Sequence, residues 1–155
     1  MLKEILLIYQ MIISSYLKYN KKISFYYIMT CVPNSLISKL KNEEYGILGL
    51  SKRPNPKQFM EKMKEYNMKT PNVTWQGEKL TEKQEEENME RINEIDLNKI
   101  GKGYLCSSFD PLLFLYCELF EVSIDCNFVG NLIKYKNIKC SKRTISFKCS
   151  KSHFS

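Results

Sequence analysis

Residues 110–135 read DPLLFLYCELFEVSIDCNFVGNLIKY, and this stretch decides the fold class. It opens with Asp110 and Pro111, two residue types that commonly occupy the N-cap and the first position of a helix. The run from Leu112 to Phe120 that follows is strongly apolar. We therefore predict a buried helix over residues 112–120.

A strand, a turn and a second strand are predicted directly after this helix. Apolar residues alternate with other side chains at Val122, Ile124 and Cys126. Gly130 and Asn131 are typical of a hairpin turn, so residues 132–135 are expected to return as the next strand. The alternation in Thr144-Ile145-Ser146-Phe147 predicts a further strand over 144–147.

A second strand followed by a helix is predicted closer to the start of the chain. Residues 23–29 are mainly β-branched and aromatic, which favours a buried strand. Pro33 is suited to the first turn of a helix, and apolar residues at helical spacing follow it. Cys31 is therefore expected where a strand ends and a helix begins.

The middle of the chain is predicted to be mainly helical. Residues 57–66 are expected to form a short helix, and Thr81-Glu82-Lys83-Gln84 is a capping box that opens another one. Residues 42–56 and 68–77 are expected to be loops. The whole chain, residues 1–155, is then one α+β domain with helices packed around a small, mostly antiparallel sheet.

The N-terminal residues 1–20 are apolar at helical spacing, but Glu4, Tyr9 and Gln10 interrupt the run. No small-residue cleavage site follows, so we do not interpret the segment as a signal peptide. It is also too short and too polar for a membrane span. We predict an amphipathic helix over 1–20 and a cytoplasmic protein.

The number and spacing of the cysteines limit which metal sites and disulfides the chain can form. The six cysteines are Cys31, Cys106, Cys117, Cys126, Cys140 and Cys149. None has CxxC spacing and His153 is the only histidine, so we expect no zinc site and no other cofactor. We interpret the thiols as reduced. A small secreted protein with disulfides is the alternative, because the number of cysteines is even.

The net charge of +7 is unevenly distributed. Residues 131–155 contain no acid and carry these basic side chains: Lys134, Lys136, Lys139, Lys142, Arg143, Lys148 and Lys151. We interpret them as a solvated face. Nucleic-acid binding is an alternative that ranks lower, because arginine is scarce, no recognised RNA-binding motif is present and the lysines alternate with core-facing residues. The heavy use of Lys, Asn, Ile and Tyr is typical of AT-rich genomes, including viral ones.

Cys31 and His153 are the candidate catalytic residues. A helix N-terminus lowers the pKa of a thiol and offers free backbone N–H groups. Cys31 is the cysteine that the sequence analysis places at such a position. A thiolate also needs a base, usually an imidazole, and His153 is the only one in the chain.

The order of these motifs resembles the OTU-like (ovarian-tumour-type) branch of the papain-fold cysteine proteases. The matching segments are Ile28-Met29-Thr30-Cys31-Val32-Pro33-Asn34-Ser35-Leu36, residues 103–113, Val122-Ser123-Ile124, residues 130–135, residues 144–147 and Ser152-His153-Phe154. They stand where the family has its cysteine block, an apolar helix, a strand, a hairpin, a late strand and a histidine block. The resemblance covers about residues 23 to 155.

The resemblance implies a cysteine protease, or deubiquitinase, that cleaves peptide or isopeptide bonds at the C-terminal tail of ubiquitin or a ubiquitin-like protein. A viral polyprotein is the other substrate that it implies. In such an enzyme Cys31 attacks the carbonyl, and His153 first takes the thiol proton and then protonates the leaving amine. The backbone N–H groups of Met29, Thr30 and Cys31 hold the oxyanion, and Asn34 is a candidate polar helper.

The sequence also departs from the family pattern. Ile28 stands where the family has an Asp, and Met29 stands where it has a Gly. The third member of a triad is therefore unassigned. The alternative is a catalytically weak or inactive module of the same fold that binds ubiquitin-like partners.

Overall fold

The computed structural model describes residues 25–100, 109–128 and 130–149, with side chains from residue 32 onward except at 109, 128 and 149. The α-helices in these ranges are α1 (Phe25–Ser38), α2 (Pro56–Glu65), α3 (Glu82–Asn93) and α4 (Phe109–Phe120). The strands are β1 (Val73–Trp75), β2 (Glu78–Lys79), β3 (Ser123–Phe128), β4 (Asn131–Asn137) and β5 (Thr144–Cys149). Two 3-10 helices lie at Asn42–Leu48 and Leu97–Lys99.

The described strands form one sheet in the order β2-β1-β4-β3-β5. Neighbouring strands are antiparallel except β3 and β5, which are parallel. The helix α4 packs on one face of this sheet, and α1, α2 and α3 complete the helical layer. The structure is therefore α+β, as the sequence predicts, with a small mixed sheet.

The helix α4 lies at the centre of the core, because its sequence is apolar on almost every side. Residues 111–117 and 120 are buried. A helix that is apolar all round can be stable only where other elements cover it on several sides. Here β1, β3 and β4 contact α4 on one side, and α3 and the first 3-10 helix contact it elsewhere.

Several predicted elements are confirmed with bounds shifted by a few residues. The helix α2 spans Pro56–Glu65 with Phe59, Met60 and Met63 buried. The helix α3 begins after Thr81, whose hydroxyl accepts a hydrogen bond from the Gln84 N–H at 3.2 Å. The predicted hairpin is the β3–β4 pair, and β5 extends the strand predicted over 144–147.

The strand predicted over residues 23–29 is wrong from residue 25 onward, and residues 23 and 24 lie outside the described part of the chain. Residues from Phe25 onward belong to α1, which continues to Ser38. A short apolar run fits a strand and a buried helix equally well, and here the helical spacing of the residues after it decides. Val32, Leu36 and Ile37 of α1 are buried, as is Leu40 just after the helix.

Two predicted loops also contain regular structure. Residues 68–77 include β1, which a two-residue turn at Gln76 and Gly77 joins to β2. Both turn residues have positive φ, 50° and 82°, as expected for a tight hairpin. The predicted loop over 42–56 contains the 3-10 helix Asn42–Leu48.

None of the helices in the described ranges combines the length and apolarity that a bilayer-spanning helix requires. The amphipathic helix predicted over 1–20 lies outside the described residues.

Asp110 is the second residue of α4, so it lies within the first turn of the helix and not at the predicted N-cap position. Its carboxylate accepts a hydrogen bond from the Tyr135 hydroxyl, which joins α4 to β4. Burial raises the pKa of the Asp110 carboxyl above its ordinary value of 3.8, while the Tyr135 hydrogen bond and the charge of Arg91 oppose that rise.

This raised pKa predicts the sign of a pH effect. The folded state favours protonated Asp110, so the stabilisation is present at low pH and is lost as the pH rises through the folded-state pKa. Asp110→Asn keeps an oxygen acceptor for Tyr135 but cannot ionise. We expect its free energy of unfolding, relative to the native sequence, to increase as the pH is raised from about 3 to about 7. Urea denaturation across this range measures the difference, and a relative loss with rising pH would contradict the assignment.

Candidate functional site

The predicted position of Cys31 at a helix N-terminus does not match the structure. The helix α1 begins at Phe25, so Cys31 lies in its interior. The side chain of Cys31 is outside the described part of the structure. The error follows from the misassigned strand, because residues 25–29 form the first turns of the helix instead of leading into it.

The predicted oxyanion donors are affected in the same way. Only the first four N–H groups of an α-helix lack an intrahelical acceptor, so the amides of Met29, Thr30 and Cys31 face the preceding turn. Pro33 lies inside α1 and has no N–H, which leaves the Met29 carbonyl without its helical donor. A carbonyl is a hydrogen-bond acceptor and cannot stabilise an oxyanion.

The remaining members of the predicted site are only partly described. His153 lies outside the described residues, so its separation from Cys31 is not defined. Asn34 is exposed on α1. The Cys31–His153 pair therefore stays a prediction.

Cys117 and Cys140, among the cysteines with described side chains, do not replace Cys31 as a nucleophile. Cys117 and Cys126 are buried and Cys140 is exposed. Burial raises the pKa of the Cys117 thiol, and a hydrogen bond with Glu121 raises that of Cys140. A catalytic thiol needs the opposite shift. Within the described ranges, no cluster of three or more His, Cys, Asp or Glu side chains is arranged to hold a metal ion.

The most distinctive charged feature is on the sheet face opposite α4, here called the outer face. Phe114 of α4 packs on Tyr135 with ring centroids 5.2 Å apart, so alternate β4 residues point inward. Ile133, Tyr135 and Asn137 are buried, whereas Lys134 and Lys136 between them are exposed. The same alternation in β5 buries Ile145 and Phe147 and exposes Thr144, Ser146 and Lys148.

Strand pairing arranges four lysines diagonally across the outer face. Lys79 of β2 and Lys136 of β4 both pair with Thr74 of the strand between them. Further along the strands, Asn127 of β3 lies opposite Lys148. We call the set Lys79, Lys136, Lys134 and Lys148 the lysine stripe.

The lysine stripe carries excess positive charge. Among the described side chains of this face, Asp125, which pairs with Lys134 in the sheet, is the one acid. In the described part of the chain, none of the four stripe ammonium groups takes part in an ion pair, whereas Lys62, Lys69 and Lys142 each have a carboxylate partner. Unpaired surface charges of one sign create a potential that attracts polyanions.

Two buried polar contacts hold the chain between β4 and β5 and so position Lys148. The Asn137 amide donates to the Cys117 carbonyl at 3.0 Å, and its oxygen accepts from the N–H groups of Lys139 and Cys140. Arg143, just before β5, donates to the carboxylate of buried Glu44. The edge strand is therefore fixed to both α4 and the first 3-10 helix.

Part of the stripe is visible in the sequence. The alternation of lysines with apolar residues over 132–148 indicates a shared solvated face. Lys79 could not be assigned to that face, because its hairpin partner β1 joins the sheet through β4, which lies about 60 residues later in the chain. The sequence signal that could have predicted the β1–β2 hairpin is the Gln76-Gly77 turn after Thr74 and Trp75.

Comparisons with known proteins identify no relative. No protein-family model matches the chain, and neither a curated protein nor a solved structure matches it. The OTU-like resemblance therefore rests on the short sequence motifs alone.

Proposed function

We propose that this protein binds nucleic acid through the lysine stripe. The observation that carries the proposal is the arrangement of four exposed lysines on one sheet face, with Asp125 as the single acid among its described side chains. The sequence alone ranked nucleic-acid binding below a merely solvated face. The arrangement supports nucleic-acid binding more strongly, because lysines from three strands share one surface.

The physical basis is the polyanionic character of nucleic acids. A lysine that contacts a phosphate displaces condensed counterions, and this release drives binding that does not depend on base sequence. Lysine serves this purpose as a flexible point charge, without the bidentate geometry of arginine. The scarcity of arginine therefore argues against base-specific recognition more than against phosphate contact.

A double charge reversal tests the proposal. We expect Lys134→Glu/Lys136→Glu to weaken binding of a mixed-sequence oligonucleotide at low salt by about tenfold or more, since each change removes an attraction and adds a repulsion. Fluorescence anisotropy with a labelled oligonucleotide measures the loss. The matched control is Lys52→Glu/Lys57→Glu, which changes the net charge equally at exposed positions beside and within the first turn of α2.

The two variants separate local binding from net charge. An equal loss in the control would show that overall charge attracts the oligonucleotide and would overturn the assignment to the stripe. Tighter binding of a polyglutamate peptide than of the oligonucleotide would point to an acidic protein as the partner and would also contradict the proposal.

A thiol protease or binder specific for ubiquitin-like proteins is the second candidate. The β3–β4 hairpin and β5 favour it, because these are the elements that the OTU-like motifs require before the terminal histidine. The interior position of Cys31 in α1 counts against catalysis.

An electrophilic ubiquitin probe distinguishes the forms of this second candidate. Covalent labelling that disappears in Cys31→Ala and in His153→Ala would support the protease. Binding of ubiquitin without labelling would support a catalytically inactive module. The absence of both would remove this candidate.

A further inference from the structure

The shape of the outer face limits which form of nucleic acid can contact all four lysines. The stripe runs from β2 at one edge of the sheet to β5 at the other. Four strand spacings separate Lys79 from Lys148 across the sheet, about 19 Å, and four residue steps separate them along the strands, about 14 Å. The stripe is therefore about 23 Å long, and its lysines lie near one diagonal.

A duplex fits this surface poorly. The major groove is about 12 Å wide and admits an α-helix or a two-stranded ribbon, which is narrower than a sheet of five strands. A broad sheet face outside the groove touches the convex duplex along a narrow contact, so one or two stripe lysines can reach phosphates at a time. A flexible single strand can instead lie along the diagonal and place a phosphate near each lysine.

The chemistry of the face indicates how such a strand is held. Among the described outer-face side chains there is no aromatic ring on which a base could stack, and single-strand proteins that hold bases rely on such rings. The exposed polar side chains beside the stripe are hydroxyls and amides, including Ser146, Thr144 and Asn127. These groups can donate hydrogen bonds to phosphate oxygens but supply little discrimination among bases.

We propose that the lysine stripe holds a single nucleic-acid strand by its phosphates and does not select the base sequence. This inference rests on the proposed nucleic-acid function and specifies its ligand. Asp125, opposite Lys134, opposes binding because its carboxylate repels the phosphate that Lys134 attracts.

The experiment compares labelled 20-nucleotide single strands of several sequences with a duplex of the same length, by fluorescence anisotropy over a range of salt concentrations. We expect the single strands to bind at least about tenfold more tightly than the duplex and to differ among themselves by no more than about threefold. Four phosphate contacts predict that log K falls against log salt with a slope of about −3 for a single strand.

The outcomes distinguish the single-strand inference from the nucleic-acid function on which it rests. Equal or tighter binding of the duplex, or a preference of tenfold or more for one sequence, would overturn the single-strand inference and leave nucleic-acid binding intact. No measurable binding of either form at low salt would overturn both.

Two substitutions of opposite expected sign complete the test. Lys134→Gln should weaken single-strand binding about twofold to fivefold and reduce the magnitude of the salt slope by about 0.7. Asp125→Asn should strengthen binding by a similar factor, since it removes the repulsion without changing the size of the side chain. Weaker binding by Asp125→Asn would show that the carboxylate accepts a hydrogen bond from the ligand and would contradict a site that contacts only phosphates.

Discussion

Tyr116→Ala is expected to lower the free energy of unfolding by about 4 kcal/mol, the largest effect of any single substitution considered for this protein. Tyr116 is completely buried at the point where three helices meet. Its ring lies 4.7 Å from that of Phe120 and 6.4 Å from that of Phe59 of α2, measured between centroids. Its hydroxyl donates to the Leu36 carbonyl of α1 at 3.0 Å.

The size of the effect follows from these contacts. Truncation removes an aromatic ring from a closed site and leaves a cavity that rigid neighbouring helices fill only in part. The hydroxyl also donates to the Leu36 carbonyl in the last turn of α1, which accepts a second hydrogen bond from the Lys39 N–H at 3.2 Å. A small domain has a total stability of about 5–15 kcal/mol, so the variant should be partly unfolded at moderate temperature.

Two other variants separate the ring from the hydroxyl and from surface tyrosines. Tyr116→Phe keeps the ring, so it should cost only about 1 kcal/mol for the lost hydrogen bond. Tyr66→Ala, at a side chain that is 37% exposed, should cost less than Tyr116→Ala by several kcal/mol. Urea denaturation followed by circular dichroism measures all three. A loss below about 1.5 kcal/mol for Tyr116→Ala would contradict the described core.

Arg143→Ala is expected to cost about 3 kcal/mol of stability. The Arg143 guanidinium donates to both carboxylate oxygens of Glu44, at 3.0 and 2.5 Å, and also to the Lys39 carbonyl. The Glu44 side chain is only 7% exposed. Removal of Arg143 therefore leaves a buried carboxylate with the Lys41 N–H as its remaining described donor.

Lys142→Ala is the matched control at the adjacent residue. Lys142 pairs with Glu121 at 3.4 Å, but both side chains are about half exposed, at 57% and 47%. Such a pair should contribute less than about 1 kcal/mol. The double variant Arg143→Met/Glu44→Leu should recover most of the loss, because it removes the buried charge together with its partner. Equal effects of Arg143→Ala and Lys142→Ala would contradict a buried ion pair.

Elements whose signals are local were predictable. The capping box at Thr81 and Gln84 opens α3, and the alternation around Ile124 and Ile133 forms the β3–β4 hairpin. In each case the residues that determine the element lie within one turn or one hairpin of each other. Sequence reasoning therefore recovered α2, α3, α4 and the C-terminal strands.

Features that depend on distant partners were not predictable in the same way. Residues 25–29 fit a strand locally and became helix because α1 continues through them into the buried face at Leu36. The short strand β1 exists because it pairs with β4, about 60 residues later in the chain. A three-residue strand gives little local signal of its own.

The candidate site also combines features that were predictable locally with features that depend on distant partners. Alternating lysines over 132–148 were evident, but the stripe needs the register that brings Lys79 and Lys148 to the same face. The catalytic hypothesis depended on the exact start of one helix, and helix boundaries are among the least certain features of a sequence prediction. Because α1 begins at Phe25, Cys31 lies in the interior of the helix and not at the predicted helix tip.

Chemical-shift mapping tests the central claim most directly. Isotope-labelled protein is titrated with a short unstructured single strand at low salt, and backbone amide shifts are followed residue by residue. The largest shifts are expected at Lys79, at Lys134 and Lys136 of β4, and at Lys148 of β5. Shifts confined to α1, α2 and α3, with the outer face of the sheet unchanged, would contradict the claim that the lysine stripe is the binding site.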